Sequence, residues 1–158
     1  MAKQSAGVLL YRVRERRLEV FLVHPGGPFW AGKDVGAWSI PKGEAGPGED
    51  LLTHAKLEFA EETGFAAPNA LQALRPIKQA GGKVVHAWAA EGNVDAAALR
   101  SNSFTLEWPP RSGRQQIFPE VDRAAWFTLA EAREKINKGQ IALLDQLEQL
   151  LATRANPD

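Results

Sequence analysis

Three glutamates, Glu58, Glu61 and Glu62, fall within little more than one helical turn in the run Leu57-Glu58-Phe59-Ala60-Glu61-Glu62-Thr63-Gly64. At about 100° per residue they share an arc of helix surface roughly 100° wide, while Leu52, Ala55 and Phe59 share a neighbouring arc fit to face a core. Like charges at that spacing repel and cost the helix stability, so a group of opposite charge is needed to keep them together. A hard divalent cation such as Mg²⁺ or Mn²⁺ meets the need, because such ions take oxygen ligands from carboxylates, waters and substrate phosphates. The competing reading is a solvated acidic helix face. The glycines flanking the run, Gly43 and Gly64, weigh against it.

A second group of chemistry-bearing residues lies in 108–122, which reads as a loop between strands. Arg111 and Arg114 suit phosphate oxygens, as guanidinium forks do, and Trp108 suits stacking on a base. Solvated arginines and a surface-anchored tryptophan are the alternative. His24, His54 and His86 lack a metal-ligand spacing such as His-x-x-x-His, so each reads as structural.

These residues need elements to hold them. The helix carrying the glutamates opens at Glu49 and Asp50, where carboxylates favour the positive end of the dipole, and stops at Gly64, giving about four turns. Residues 6–13 and 18–24 are apolar, β-branched runs joined by the charged tip Arg14-Glu15-Arg16-Arg17, a hairpin pattern. Residues 24–36 form a long Gly- and Pro-punctuated loop of the kind that is more often functional than idle. Residues 83–90 alternate, with His86 and Trp88 on one face and Val85, Ala87 and Ala89 on the other. Residues 124–127 make a short strand, Thr128 caps a helix over 129–136, and Gly139 separates it from a final amphipathic helix over 141–153. Trp88 and Trp126 read as core, Trp30 and Trp38 as either core or site, and the last five residues as a frayed tail. Strands interleaved with helices predict an α/β fold with a sheet covered on both sides.

The segment 43–65 resembles the Nudix box, a pattern of Gly, five residues, Glu, seven residues, then Arg-Glu-apolar-x-Glu-Glu-x-Gly-apolar. Gly43, Glu49, Glu58, Phe59, Glu61, Glu62, Gly64 and Phe65 stand at matching positions with the spacing kept. One position departs, since Leu57 stands where the family has arginine. Lys56 is adjacent but points about 100° away round the helix. The lead-in Trp38-Ser39-Ile40-Pro41-Lys42-Gly43 is similar to that of Nudix members acting on dinucleoside polyphosphates, diphosphoinositol polyphosphates and some nucleoside triphosphates. From Ser5 to about Leu151 the chain also looks like a bacterial branch of predicted nucleotide pyrophosphohydrolases. The resemblance implies a mixed β-sheet sandwiched between α-helices. It implies a metal site of Glu58, Glu61, Glu62 and the Gly43 carbonyl, with Glu120, ahead of Asp122, as a further loop carboxylate. It also implies that Lys42, next to Gly43, reaches a substrate phosphate, and that the family's arginine orients the helix glutamates.

The 158 residues suffice for a single domain, 1–158, and a composition 44% apolar and 24% charged is ordinary for a globular chain. Nineteen basic and nineteen acidic side chains cancel, so no broad footprint for duplex nucleic acid or an anionic membrane is expected. Cysteine is absent, which excludes disulfides, thiolate nucleophiles and cysteine-ligated metals. The apolar run near the N-terminus is too short for a signal or membrane segment, and a cytoplasmic enzyme fits best. No pattern encodes an oligomeric state.

The expected chemistry is metal-assisted hydrolysis of a phosphoanhydride in a nucleoside diphosphate linked to another group, with a small-molecule nucleotide as substrate and Mg²⁺ or Mn²⁺ as cofactor. Glu58 is the expected general base, although family members differ between a helix and a loop glutamate for that step. Leu57 keeps a second reading open, a catalytically weak nucleotide-binding or sensor module. An interaction protein built on the Pro- and Trp-rich loops is a third, disfavoured by the carboxylate trio.

Overall fold

A computed structural model describes residues 3–155. The first two strands, β1 (Gln4–Arg14) and β2 (Arg17–Pro25), form the expected hairpin. Its two-residue tip, Glu15 and Arg16, has φ of 51° and 65°, the mirror-image turn whose twist matches antiparallel strands. There follow β3 (Lys42–Ala45), α1 (Leu51–Thr63), β4 (Gln72–Ala73), β5 (Ile77–Lys78), β6 (Val84–Glu91), β7 (Ser103–Glu107), β8 (Gln115–Pro119), β9 (Val121–Thr128), α2 (Leu129–Lys135) and α3 (Ile141–Ala155), with three short 3₁₀ turns.

The centre of the sheet is β1. Along one edge it runs parallel to β6 from Gln4↔Val84 to Tyr11↔Glu91, and α1 lies within the long crossover that a parallel pair demands. Its other edge is divided. Residues 4–7 pair with β3 and residues 11–14 with β2, so the sheet forks there and Lys42 and Gly43 stand at the fork. Strand β9 extends the sheet beyond β2, β4 and β5 pair with β6, and the result is a seven-stranded mixed sheet. Strands β7 and β8 make a separate two-stranded ribbon.

Alternate residues of the central strands fill two cores. Ala6, Val8, Leu10, Phe21 and Val23 meet Ala55 and Phe59 of α1 on one face. Leu9, Tyr11, Val20, Leu22, Val85, Ala87 and Ala89 meet Ala132 of α2 and Leu143, Leu144 and Leu147 of α3 on the other. The sheet is therefore sandwiched between helices, as the sequence predicts. Because both faces are covered, the strands read as nearly unbroken apolar runs.

Several boundaries move. In α1 Asp50 is the N-cap, its carboxylate accepting from the Thr53 N–H at 3.0 Å, and Gly64 closes the helix with φ 81°. Leu51, rather than Leu52, packs on the core. Residues 108–122 are not one loop, because Gln115–Pro119 pairs with β7 and leaves a tip at 108–114, closed by the Trp108 N–H on the Arg114 carbonyl at 2.9 Å. Trp38 belongs to the core under α2 and α3, while Trp88 and Trp126 are half-buried against the other core, on the α1 side. The final helix runs to Ala155, and the remainder of the expected tail, 156–158, lies outside the described residues. Among the described residues no helix is long and apolar enough to cross a membrane.

One buried amide steadies the approach to the fork. Gln140 is 1% exposed. Its Oε1 accepts from the Ile40 N–H at 3.1 Å, and its Nε2 donates to Ser39 Oγ at 3.0 Å and Gln79 Oε1 at 3.3 Å. Replacing it by leucine leaves the Ile40 N–H unpaired, so Gln140→Leu is expected to lower stability by about 1–3 kcal/mol. A urea titration reads this as a lower midpoint at unchanged slope.

Candidate active site

Two elements carry the site, and a loop completes it. Helix α1 presents Glu58 and Glu62 toward β3, where the Lys42 N–H donates to Glu62 Oε1 at 3.2 Å, while the Glu61 charge acts on both Glu58 and Glu120. At Gly43 an added Cβ would lie 2.1 Å from the Glu58 carboxyl carbon, so only glycine lets the carboxylate reach the backbone there. The last turn of α1 has carbonyls with no partner of their own. Those of Glu61 and Thr63 accept from the Asn102 and Arg100 N–H groups at 2.8 and 2.9 Å. Asn102 then accepts the Glu120 N–H at 2.8 Å, and the Glu120 carbonyl accepts from Gly26 at 2.9 Å. An added Cβ at Gly26 would lie 1.9 Å from the Pro119 carbonyl oxygen. Glu120 is thus hung from the end of the very helix that carries the other glutamates.

The electrostatics follow from this crowding. Burial first, and then the Glu58 charge, push the Glu62 carboxyl from 4.5 up to about 8, against the pull of the Lys42 N–H and ammonium. Burial and then Glu61 raise Glu58, with the His54 imidazole pulling the other way. Burial and then Glu61 also raise Glu120. Desolvation lowers Lys42, while Glu62 opposes that fall.

A cavity of about 290 Å³ opens over this acidic floor, with Lys42, Glu62 and Glu120 in its lining. It also takes Trp30, Lys83 and Gln79, of which the sequence singles out only Trp30. Lys83 directly precedes β6 and follows Gly81 and Gly82, a context indistinguishable from that of a solvated lysine. Trp108, Arg111 and Arg114 sit at the tip of the β7–β8 ribbon and do not line the cavity. Trp108 meets the exposed Phe29 edge-on at 5.2 Å, and Arg111 donates its N–H to Glu107 at 3.1 Å. His24 is structural, as expected. It is fully buried, with Nδ1 2.8 Å from Asp122 Oδ1 and Nε2 2.6 Å from the Lys33 carbonyl. That contact employs Asp122 elsewhere and leaves Glu120 as the loop carboxylate at the cavity.

The donors fit a hard divalent ion. They are carboxylate oxygens beside the β3 backbone, with no sulfur, the chemistry Mg²⁺ and Mn²⁺ prefer. Among the described residues no three acidic or histidine side chains already converge at ion-binding distance on one point. The carboxylates raise one another's proton affinity instead, the signature of a group that a cation would relieve.

The fold has known counterparts. The NUDIX domain model matches residues 1–147. A C. elegans Ap4A hydrolase binary complex aligns at 24% identity over 94% of this chain and 98% of that one, TM-score 0.65. The NUDIX domain of Shewanella oneidensis NrtR complexed with ADP ribose aligns at 19% identity over 96% and 89%, TM-score 0.66. A mutT/nudix family protein from Listeria innocua aligns at 16% identity over 96% and 95%, TM-score 0.64. At these identities the likeness is one of fold. No curated protein matches the sequence.

The raised Glu62 carboxyl has a consequence for stability. Its folded-state value near 8 exceeds the ordinary 4.5, so between those limits the folded protein binds the proton more tightly than the unfolded chain. The stabilisation is complete below the unfolded value and is lost as pH rises through the folded one. Metal-free protein in EDTA is therefore expected to melt at a lower temperature at pH 8.5 than at pH 6. Glu62→Gln removes most of that difference, as differential scanning calorimetry at both pH values would register.

Proposed function

The chain belongs to the Nudix hydrolase family, and we propose on that footing that it is a metal-dependent hydrolase of a phosphoanhydride in a nucleoside diphosphate linked to another group. Dinucleoside polyphosphates and nucleoside triphosphates are the first substrates to test. One observation carries the proposal: burial and neighbouring carboxylates raise Glu58, Glu62 and Glu120, and Glu62 and Glu120 line a cavity that also holds two lysines. Anions opposite cations in one cleft suit a substrate that is polyanionic and arrives with its own counter-ions.

Glu58, Glu61, Glu62, Glu120 and the Gly43 carbonyl would hold Mg²⁺ or Mn²⁺. When bound, the ions polarise the phosphate and lower the pKa of a water. Lys42 and Lys83 neutralise phosphate oxygens from the cavity wall as compact point charges. Trp30 offers an apolar surface at its mouth. Glu58 accepts the proton of the attacking water, and its raised proton affinity suits a base working near neutral pH. The hydrogen bond from Lys42 N–H to Glu62 keeps β3 and α1 in register, so phosphate and carboxylates are positioned together.

Leu57, half-exposed and without a donor, favours a second reading, a binding module with little turnover. One panel separates the two. The protein is incubated with Mg²⁺ or Mn²⁺ and dinucleoside polyphosphates, nucleoside triphosphates, ADP-ribose and NADH, and phosphate release and ligand binding are measured. Turnover supports the hydrolase, and tight binding without turnover supports the module.

Two substitutions probe the roles. Glu62→Gln is expected to lower kcat at least a hundredfold and to weaken Mn²⁺ binding with the fold intact, and unchanged turnover would remove Glu62 from the site. Lys42→Ala is expected to raise KM most for the longest phosphate chains, because binding shared by ground and transition states appears there. Equal effects on short and long chains would show that the lysine does not read phosphate.

A further inference from the structure

Position 57 leaves the helix glutamates without the guanidinium that the family pattern puts there. Leu57 is 50% exposed, touches neither core as a buried member, and donates no hydrogen bond. A donor is nevertheless present one turn earlier. His54 is only 8% exposed, with Nδ1 2.7 Å from Glu49 Oε2 and Nε2 3.3 Å from Glu58 Oε1. Neither contact is aligned as a hydrogen bond, and both ring nitrogens are buried without another partner among the described residues. A buried polar ring so placed is unfavourable unless the groups beside it close onto it. Glu49 is itself anchored, since its Oε1 accepts the Gly46 N–H at 3.0 Å.

We infer that His54 is the positioning residue for Glu58, tying it to the loop-anchored Glu49 and replacing, from the buried side of α1, the arginine that Leu57 displaces. This rests on the hydrolase reading above. Helix geometry makes the substitution reasonable: positions 57 and 58 stand three and four residues beyond 54, so the side chain at 54 neighbours both, on the buried flank of the strip where 57 is half-exposed. Pure packing does not explain the choice, because an apolar side chain would fill the site without placing two nitrogens against two carboxylates. A direct metal ligand is not indicated either, for no three acidic or histidine side chains among the described residues converge on one point. What remains is orientation. Partners that orient a ligating carboxylate are worth about 10–100-fold in metal affinity or activity.

The test is a cycle of His54→Ala and Leu57→Arg, read by steady-state kinetics on the best substrate of the panel and by Mn²⁺ titration followed by electron paramagnetic resonance. His54→Ala is expected to lower kcat about tenfold or more at nearly constant KM and to weaken Mn²⁺ binding several-fold. Adding Leu57→Arg to that variant is expected to restore both to within about threefold of the original, whereas Leu57→Arg alone changes them less than that. A packing role predicts no rescue, so loss without rescue in a folded double variant overturns the inference. Unchanged kcat and Mn²⁺ affinity in His54→Ala also overturns it. If His54→Ala does not fold, His54→Gln, which keeps an N–H donor, is expected to retain most of kcat, and His54→Leu to lose it. Equal loss in both rejects the role. Failure of the hydrolase reading looks different, because then the unsubstituted protein itself shows neither Mn²⁺ binding nor turnover.

Discussion

The approach of α1 to β3 is the contact on which the rest of the molecule depends. It brings the carboxylates of Glu58 and Glu62 against the backbone of Lys42 and Gly43, in a partly desolvated place where one carboxyl is driven up to about 8. Each unit of such a shift represents roughly 1.4 kcal/mol between the protonation states. The fold must supply that stability elsewhere. It does so through two apolar layers, one on each face of the sheet, with Phe59 and Ala55 of α1 locked into one of them. The residue row that stabilises the helix and the row that strains it lie on adjoining arcs of the same four turns.

This arrangement explains why the supporting details gather where they do. The divided edge of β1 gives β3 its place beside the helix, and Gly43 lets Glu58 come within reach of the backbone. Asn102 links the end of α1 to Glu120, so a carboxylate nearly sixty residues downstream is tied to the helix as well as to its own ribbon. Gln140 steadies the segment before Lys42 from the opposite layer. Each of these is a hydrogen bond or a close approach at the junction of two elements. None needs a mobile part, which suits a site whose groups must be held within about half an ångström.

The sequence makes the framework legible, and the reasons are physical. Nearly unbroken apolar runs in β1, β2 and β6 announce a sheet buried on both faces, and Asp50, Gly64 and Thr128 mark helix ends through their own hydrogen bonds or backbone angles. The carboxylate arc of α1 is readable because helical spacing converts sequence separation directly into direction. What escapes is whatever depends on tertiary approach. Lys83 reaches the cavity because β6 runs beside β1, a pairing of residues some eighty apart. Trp108, Arg111 and Arg114 have the right chemistry for a nucleotide, but the pairing of β7 with β8 carries them out to a ribbon tip. His54 carries no motif, and its meaning comes from the two glutamates on either side of it in space.

Positions 54 and 57 also show how folding and chemistry constrain a helix differently. Leu57 lies half in water and could change type with little effect on the core, so its identity answers only to the site. His54 is buried at the margin of the α1 layer and answers to both. A guanidinium at the outer position is free to reorganise and must give up entropy to hold a carboxylate. An imidazole wedged between Glu49 and Glu58 has already given up that freedom on folding. Moving the orienting donor inward therefore exchanges a flexible, solvated partner for a rigid, desolvated one, and it couples the direction of Glu58 to the packing of the helix that carries it.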